Sequence, residues 1–154
     1  MSESALVLLR SGTIAVTTSW SLTSLSSYSN YKDLIIEIDG HRSNYTGALN
    51  LQLNGDTGNN YSFTTLSEKQ DPATRIECYP MFGQLDSMII YTITLPEWTT
   101  STGKYKSVYV RMGATQSSRP NLITGYRKSS ANITSVDFTG TDWGGYRYRI
   151  YGRS

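Results

Sequence analysis

The sequence predicts an all-β fold, a single antiparallel β-sandwich of the jelly-roll type. Short segments with alternating apolar and polar residues recur along the chain, and segments rich in turn residues separate them. Ser, Thr, Gly, Asn and Tyr are abundant, and charged residues make up only 17% of the chain. Its 154 residues suit one domain, spanning 1–154, with a core of ordinary size.

The strands can be predicted in chain order. Segment 1–19 is expected to form either an attachment arm or an edge strand, and strands are predicted at 13–16 and 20–25. The clearest half-buried strands are 33–42 and 48–54, where every second residue is apolar. Further strands are predicted at 61–66, 75–81, 87–95, 105–112, 122–127, 133–138 and 146–152. The inward positions predict a core of Leu34, Ile36, Ile38, Leu49, Leu51, Leu53, Val108, Val110, Val136 and Phe138.

The loop 54–60, "NGDTGNN", is crowded with residues that also occur in binding sites. Asn-Gly followed by a second Gly supplies the positive φ angles of a tight turn, so we expect a hairpin between strands 48–54 and 61–66. An EF-hand loop starting at Asp56 would need a Glu at its twelfth position, which is Ser67. The pattern therefore favours a bend over a metal site.

Residues for catalysis are sparse. His41 is the only histidine, no Gly-x-Ser-x-Gly motif accompanies it, and Cys78 lies inside a predicted strand, where a small core residue is expected. One cysteine allows neither an intrachain disulfide nor a cysteine-based metal cluster. We therefore expect no enzymatic activity, no cofactor and no metal. No segment approaches the roughly 20 apolar residues of a membrane span, so no membrane partner is expected.

The charge distribution and the closing strand indicate a protein interface. Residues 1–100 carry a net charge of −5 and residues 101–154 a net charge of +7. Either the two segments interleave and the surface averages out, or acidic and basic patches meet between subunits. In the closing strand Tyr146 shares a face with aromatic and aliphatic residues, while Arg147, Arg149 and Tyr151 face the other way. We expect these three to contact acidic Glu37 and Asp39 of a neighbouring subunit, since Arg and Tyr dominate interface energies.

The aromatic residues allow other partners to be considered. A strand with aromatic and cationic faces can bind single-stranded nucleic acid, but a net charge of only +2 disfavours that partner. Trp98 and Trp143 fall in predicted loops, where an exposed indole needs a cover. With Tyr146 they are candidates for contact with a glycan or a protein partner, and each Trp could equally fold back onto its own domain.

Four segments carry a resemblance to a known class of proteins: "YSNYKDLIIEIDGHRS", "GALNLQLNGDTGNNYSF", "KYKSVYVRMGA" and "GYRKSSANITSVDFTGTDWGGYRYRIYG". They resemble a β-sandwich domain of tailed-bacteriophage virion proteins, of the tail-fibre, baseplate or head-decoration type. Its Tyr-Lys-x-Leu strand, "NGDTG-NY" turn, Ala-Ile-Thr-Ser strand and final Tyr-Gly correspond to residues 31–34, 54–61, 131–135 and 151–152, with Asn132 inserted in the third. The resemblance begins near residue 20 and covers most of the chain.

The resemblance implies a structural protein of the virion, assembled in the cytoplasm of a host bacterium. It implies a homotrimer that contacts other virion proteins, either the major capsid protein or a tail component. The short segment before the first matching motif favours a capsid decoration (cement) protein. The alternative is a tail-fibre or baseplate domain that recognises host surface glycan.

Overall fold

Twelve β-strands and one short 3₁₀ helix form the described part of this computed structural model. The structure describes residues 5–15, 17–42, 49–66, 68–78, 87–100, 103–114, 121–140 and 145–154, without the side chains of residues 41, 42, 87 and 114. The strands are β1 Leu6–Ile14, β2 Ser19–Leu22, β3 Asp33–Arg42, β4 Leu49–Leu53, β5 Tyr61–Thr64, β6 Lys69–Ala73, β7 Ile76–Cys78, β8 Ser87–Leu95, β9 Lys106–Ala114, β10 Asn121–Arg127, β11 Val136–Thr139 and β12 Tyr146–Arg153. The 3₁₀ helix is Leu25–Tyr28.

The strands form two antiparallel sheets. The larger sheet has eight strands in the order β1-β12-β3-β8-β9-β10-β5-β6, and the smaller has four in the order β2-β11-β4-β7. The all-β prediction is confirmed. The long alternating strand β3 lies inside the larger sheet, paired with β12 on one side and β8 on the other.

One hydrophobic core contains side chains from both sheets. All ten predicted core residues belong to it, each at most 2% exposed. This prediction is confirmed because strict alternation assigns each residue to one face of a sheet. The bulkiest buried side chains also include Trp98, Tyr61 and Phe63, which the pattern had not singled out.

β1 and β6 differ most from the prediction. β1, Leu6–Ile14, forms an edge of the larger sheet and begins well before the predicted strand at 13–16. β6 occupies 69–73, where turn residues were expected. Its residues are exposed or half-buried, so no apolar alternation marks it in the sequence. It exists because it pairs with β5 at the far edge of the same sheet.

The hairpin predicted at 54–60 is wrong, although the turn is present. Asn54 and Gly55 have φ angles of 57° and 64°, and the N–H of Asp56 donates to the carbonyl of Leu53 at 3.1 Å. The tight turn that these positive φ angles allow is therefore formed. However, β4 lies in the smaller sheet and β5 in the larger one. The loop crosses between the sheets and does not join paired strands.

Candidate functional site

The residues predicted for a subunit interface meet on the outer face of the larger sheet, within one chain. β12 pairs with β3 so that Arg147 lies opposite Asp39 and Arg149 opposite Glu37. Arg147 donates to Asp39 Oδ2 from Nη2 at 2.6 Å and from Nε at 3.1 Å. Arg149 donates from Nη1 to Asp39 Oδ1 at 2.9 Å and lies 4.0 Å from Glu37 Oε2.

This geometry corrects the choice of partners. The acidic residues expected across a subunit boundary already bind the two arginines of their own chain, because β3 and β12 are sheet neighbours that the sequence alone does not pair. The opposite charges of the two chain segments therefore interleave at this place. The side chain of Arg147 remains 58% exposed, and Tyr151, farther along the same strand, is half-buried. Their contact with another subunit stays a prediction.

Two of the three predicted ligand-contact aromatics lie in the core. Trp98 is fully buried, and its indole Nε1–H donates to the carbonyl of Tyr31 at 3.1 Å. Tyr146 is 3% exposed and faces inward from β12. The prediction that these rings contact a glycan or a partner is therefore corrected, because neither ring reaches the surface. Trp143 lies outside the described residues.

The loop 54–60, considered above as a metal site, connects β4 in the smaller sheet to β5 in the larger sheet. The Asp56 carboxylate accepts hydrogen bonds from Arg127 Nε at 2.7 Å, Gly58 N at 3.0 Å and Asn60 Nδ2 at 3.1 Å. Burial acts to raise the pKa of Asp56, but these hydrogen bonds outweigh it and hold that pKa below its ordinary value. The carboxylate oxygens thus stabilise the folded loop by accepting hydrogen bonds within the chain.

The buried side chain of Tyr61 makes hydrogen bonds to the backbone of this loop through its hydroxyl. It accepts a hydrogen bond from the N–H of Leu53 at 2.8 Å and donates to the carbonyl of Asp56 at 3.1 Å. Burial raises the pKa of Tyr61 to about 12, so the hydroxyl keeps its proton across the physiological range. The hydroxyl therefore links Leu53 and Asp56, the residues on either side of the Asn-Gly turn.

No catalytic constellation is found among the described residues. Cys78 is fully buried, and burial raises the pKa of its thiol to about 12, which disfavours the nucleophilic thiolate. The described side chains contain no group of three His, Cys, Asp or Glu residues placed to hold a metal ion. The side chain of His41 is outside the described set. None of the described helical segments is long and apolar enough to cross a membrane.

Comparison of the chain with family models, with curated proteins and with solved structures found no match. Function must therefore be argued from the surface of the molecule itself.

Two exposed apolar patches on the larger sheet escaped the sequence reasoning. The first, called here the β1 edge patch, consists of Leu6 and Leu8 on one face of the edge strand and Val7 on the other, each at least 42% exposed. The second, the β8–β10 patch, consists of Met88, Ile90 and Leu122, each at least 38% exposed. The apolar run "ALVLL" was the available signal for the first patch. The second needed the sheet order, because β9 lies between its strands.

Proposed function

We propose that this chain is a non-enzymatic structural protein on the exterior of a tailed-phage virion, a capsid decoration protein that acts through protein–protein contacts. The sequence resemblance supports this function. The two exposed apolar patches support it independently, since exposed apolar surface of this kind marks sites of protein association. We further propose that the protein assembles as a homotrimer and contacts other virion proteins, and that this assembly takes place after synthesis in the host cytoplasm.

The proposed fold is a jelly-roll β-sandwich, and the strand pairing supports it. The antiparallel pairs β1–β12, β2–β11, β3–β8 and β4–β7 correspond to one long hairpin that is rolled up. Its strands fall in two sets of four, β1-β12-β3-β8 and β2-β11-β4-β7. The pairs β5–β6 and β9–β10 extend the first set. Two sheets with this order are typical of jelly rolls, an architecture used by viral capsid and lectin domains.

The observation that carries the assembly proposal is that the two apolar patches are different surfaces. They are separated by β12 and β3, so the β1 edge lies roughly 14 Å from β8 at the usual strand spacing. Contact between two different patches is heterologous, and a heterologous contact generates a ring when its rotation closes. Three copies would close such a ring if the β1 edge patch of each copy packs on the β8–β10 patch of the next.

The shape of the second patch supports it as the receiving surface. Ile90 lies opposite Gly113 in the sheet, and Leu122 lies opposite Arg111, the next outward residue of β9. A Cβ placed on Gly113 would meet nothing within 4 Å. Ile90 therefore lies beside an open position, with Leu122 diagonally across β9, and this position can receive an aliphatic side chain from a neighbour.

Light scattering on the purified protein tests this proposal. We expect a mass three times the 17.2 kDa of the chain. Leu6→Lys with Leu8→Lys, or Ile90→Lys with Leu122→Lys, should each give a folded monomer, because buried unpaired charges are costly. Gln70→Lys, an exposed change at the opposite edge, should leave the trimer intact.

Mixing the two monomeric variants sharpens the test. Each variant keeps one intact patch, so a heterologous contact predicts a two-chain species in the mixture and no closed ring. A wild-type monomer at high concentration would refute the homotrimer. Two variants that both stay trimeric would refute the choice of patches. The decoration function itself is tested on particles, which should become fragile in low salt when they lack this protein.

A further inference from the structure

A cleft of about 230 Å³ lies on the outer face of the larger sheet, where β8 ends and β9 begins. None of its lining residues belongs to either apolar patch, and they include Glu97, Lys104, Tyr105, Lys106, Ser107 and Tyr109. Drug-sized pockets span roughly 300–1,000 Å³. This cleft is smaller, so its size suits a ligand of about one ring.

Two exposed tyrosines form apolar walls of the cleft. Ser107 and Tyr109 are two residues apart in β9, so they project to the same face, and Tyr105, which directly precedes the strand, lines the same cleft. Tyr105 and Tyr109 are 58% and 41% exposed. The ring of Tyr105 stacks on Tyr126 with centroids 5.6 Å apart and an interplanar angle of 5°. This stacking fixes one wall before any ligand arrives.

The acidic group of the cleft is held in an unusual backbone conformation. Glu97 has a φ angle of 46°, in the left-handed region that ordinary L-residues avoid. Its N–H donates to Asp33 Oδ1 at 3.1 Å, and its carbonyl accepts from Lys106 Nζ at 3.3 Å and from the N–H of Thr100 at 3.1 Å. A glycine would adopt this φ without strain. A strained residue with an exposed carboxylate points to a functional role.

Lys106 is buried against the turn at 96–99. It is 2% exposed, and its ammonium group also donates to the carbonyl of Thr100 at 2.5 Å. Its charge is therefore engaged by backbone carbonyls inside the turn. Lys104, in contrast, is exposed at the rim of the cleft and can donate hydrogen bonds to a ligand.

The chemistry of these groups selects the ligand. A sugar ring presents apolar C–H faces, which match tyrosine rings, and hydroxyls that both donate and accept hydrogen bonds. Glu97 accepts such bonds and Lys104 donates them. With the Glu97 carboxylate and the Lys104 ammonium group both at the cleft, neither an anion nor a cation is favoured, and a polar rim disfavours purely apolar molecules. We propose that this cleft binds one pyranose ring of a neutral saccharide, through Tyr105, Tyr109 and Glu97. This inference does not rest on the virion function.

Saturation-transfer NMR with the methyl glycosides of glucose, galactose, N-acetylglucosamine and N-acetylgalactosamine tests this site on the intact protein. At least one glycoside should show transfer, strongest at ring C–H protons. Tyr109→Ala should weaken binding more than tenfold, whereas Tyr109→Phe should retain most of it. Leu66→Ala, an exposed change outside the cleft and outside both apolar patches, is the matched control.

Glu97→Gly separates a ligand role from a purely structural one. Glycine relieves the backbone strain, so the midpoint of thermal unfolding should rise by a few degrees while binding falls more than tenfold. Glu97→Gln should keep the strain and lose most of the binding. The proposal is overturned if no glycoside shows transfer to the folded protein, or if Tyr109→Ala and Glu97→Gly bind as the wild type does. A monomeric protein that still binds sugar would refute the trimer alone.

Discussion

The two edges of the larger sheet differ in length and chemistry. β1 has nine residues and exposes Leu6, Val7 and Leu8. β6 has five residues, "KQDPA", with Lys69 and Asp71 exposed and a proline that lacks an N–H to donate. Charges, proline and short length are the usual protection of a sheet edge against association with another chain. β6 therefore has the usual protection of an edge strand, whereas β1 leaves apolar side chains exposed at its edge.

The two edges are also held to the sheet by different interactions. β1 pairs with β12 from Leu6, opposite Arg153, to Ile14, opposite Tyr146, with a bulge between Leu8 and Arg10. Its attachment includes close packing, because the ring of Tyr148 covers Gly12 and stacks on Trp20. At β6, Asp71 forms ion pairs with Lys128 and Lys69. Packing is insensitive to pH, whereas carboxylates lose their charge in acid, so the two ends of the sheet should respond differently.

The largest expected effect comes from filling the space above Gly12. A Cβ at this position would lie 2.8 Å from Cε1 and from the hydroxyl oxygen of Tyr148. The ring cannot move away freely, since it stacks on Trp20 with centroids 5.7 Å apart. Gly12→Val should therefore lower the free energy of unfolding by about 2 kcal/mol, as overpacking typically does. Urea unfolding measures this loss, and amide exchange should show that β1 loosens while β6 keeps its protection.

Gly113→Val is the matched control in another strand of the same sheet. Its Cβ would meet nothing within 4 Å, and a β-branched residue suits a strand. We expect a change within about 0.5 kcal/mol when the variant is measured in the monomeric Leu6→Lys, Leu8→Lys background, where no neighbouring copy packs on Gly113. If both valine variants lose the same stability, the cause is glycine replacement in general, and packing under Tyr148 does not distinguish the β1 end.

A smaller effect is expected from Asp56, which holds the loop leading into β5, the neighbour of β6. Its carboxylate is bound to Arg127 at 2.7 Å, and the two side chains are 12% and 13% exposed. Asp56→Ala should cost about 1–2 kcal/mol at neutral pH, because hydrogen bonds to a charged group are lost. Since the folded-state pKa lies below the ordinary 3.8, the stabilisation is present above that pH and disappears as pH falls through the lowered pKa.

Urea titrations at several pH values test this dependence. The stability difference between wild type and Asp56→Ala should shrink steadily below about pH 4. Thr57→Ala, an exposed neighbour in the same loop, should behave as the wild type at every pH. A difference that stays constant down to pH 2 would show that the charge of Asp56 plays no part.

The sequence predicted the core well and the surface poorly, for physical reasons. Alternation in a strand such as 33–42 records burial directly, so the inward Leu34, Ile36 and Ile38 could be identified. It does not record which strand lies beside which. The pairing of β3 with β12 was therefore missed, and Arg147 was assigned to a partner in another subunit. The cleft beside Glu97 was also unpredictable, because only the folded turn reveals the positive φ.

The smallest effect is expected at the β6 edge itself. Lys128 Nζ donates to Asp71 Oδ1 at 2.5 Å, and this hydrogen bond is the main cause that lowers the pKa of Asp71. Lys69 lies farther away, 4.0 Å from Asp71 Oδ2. Lys128→Met should therefore return the pKa of Asp71 towards its ordinary 3.8, and Lys69→Met should move it less. Carboxyl-carbon NMR titration measures both shifts.

In the wild type, the protection of β6 amides should fall as pH drops through the lowered pKa, while that of β1 amides stays constant. Equal loss at both edges would mean that acid loosens the whole sheet, and the contrast between a packed edge and an ion-paired edge would be wrong.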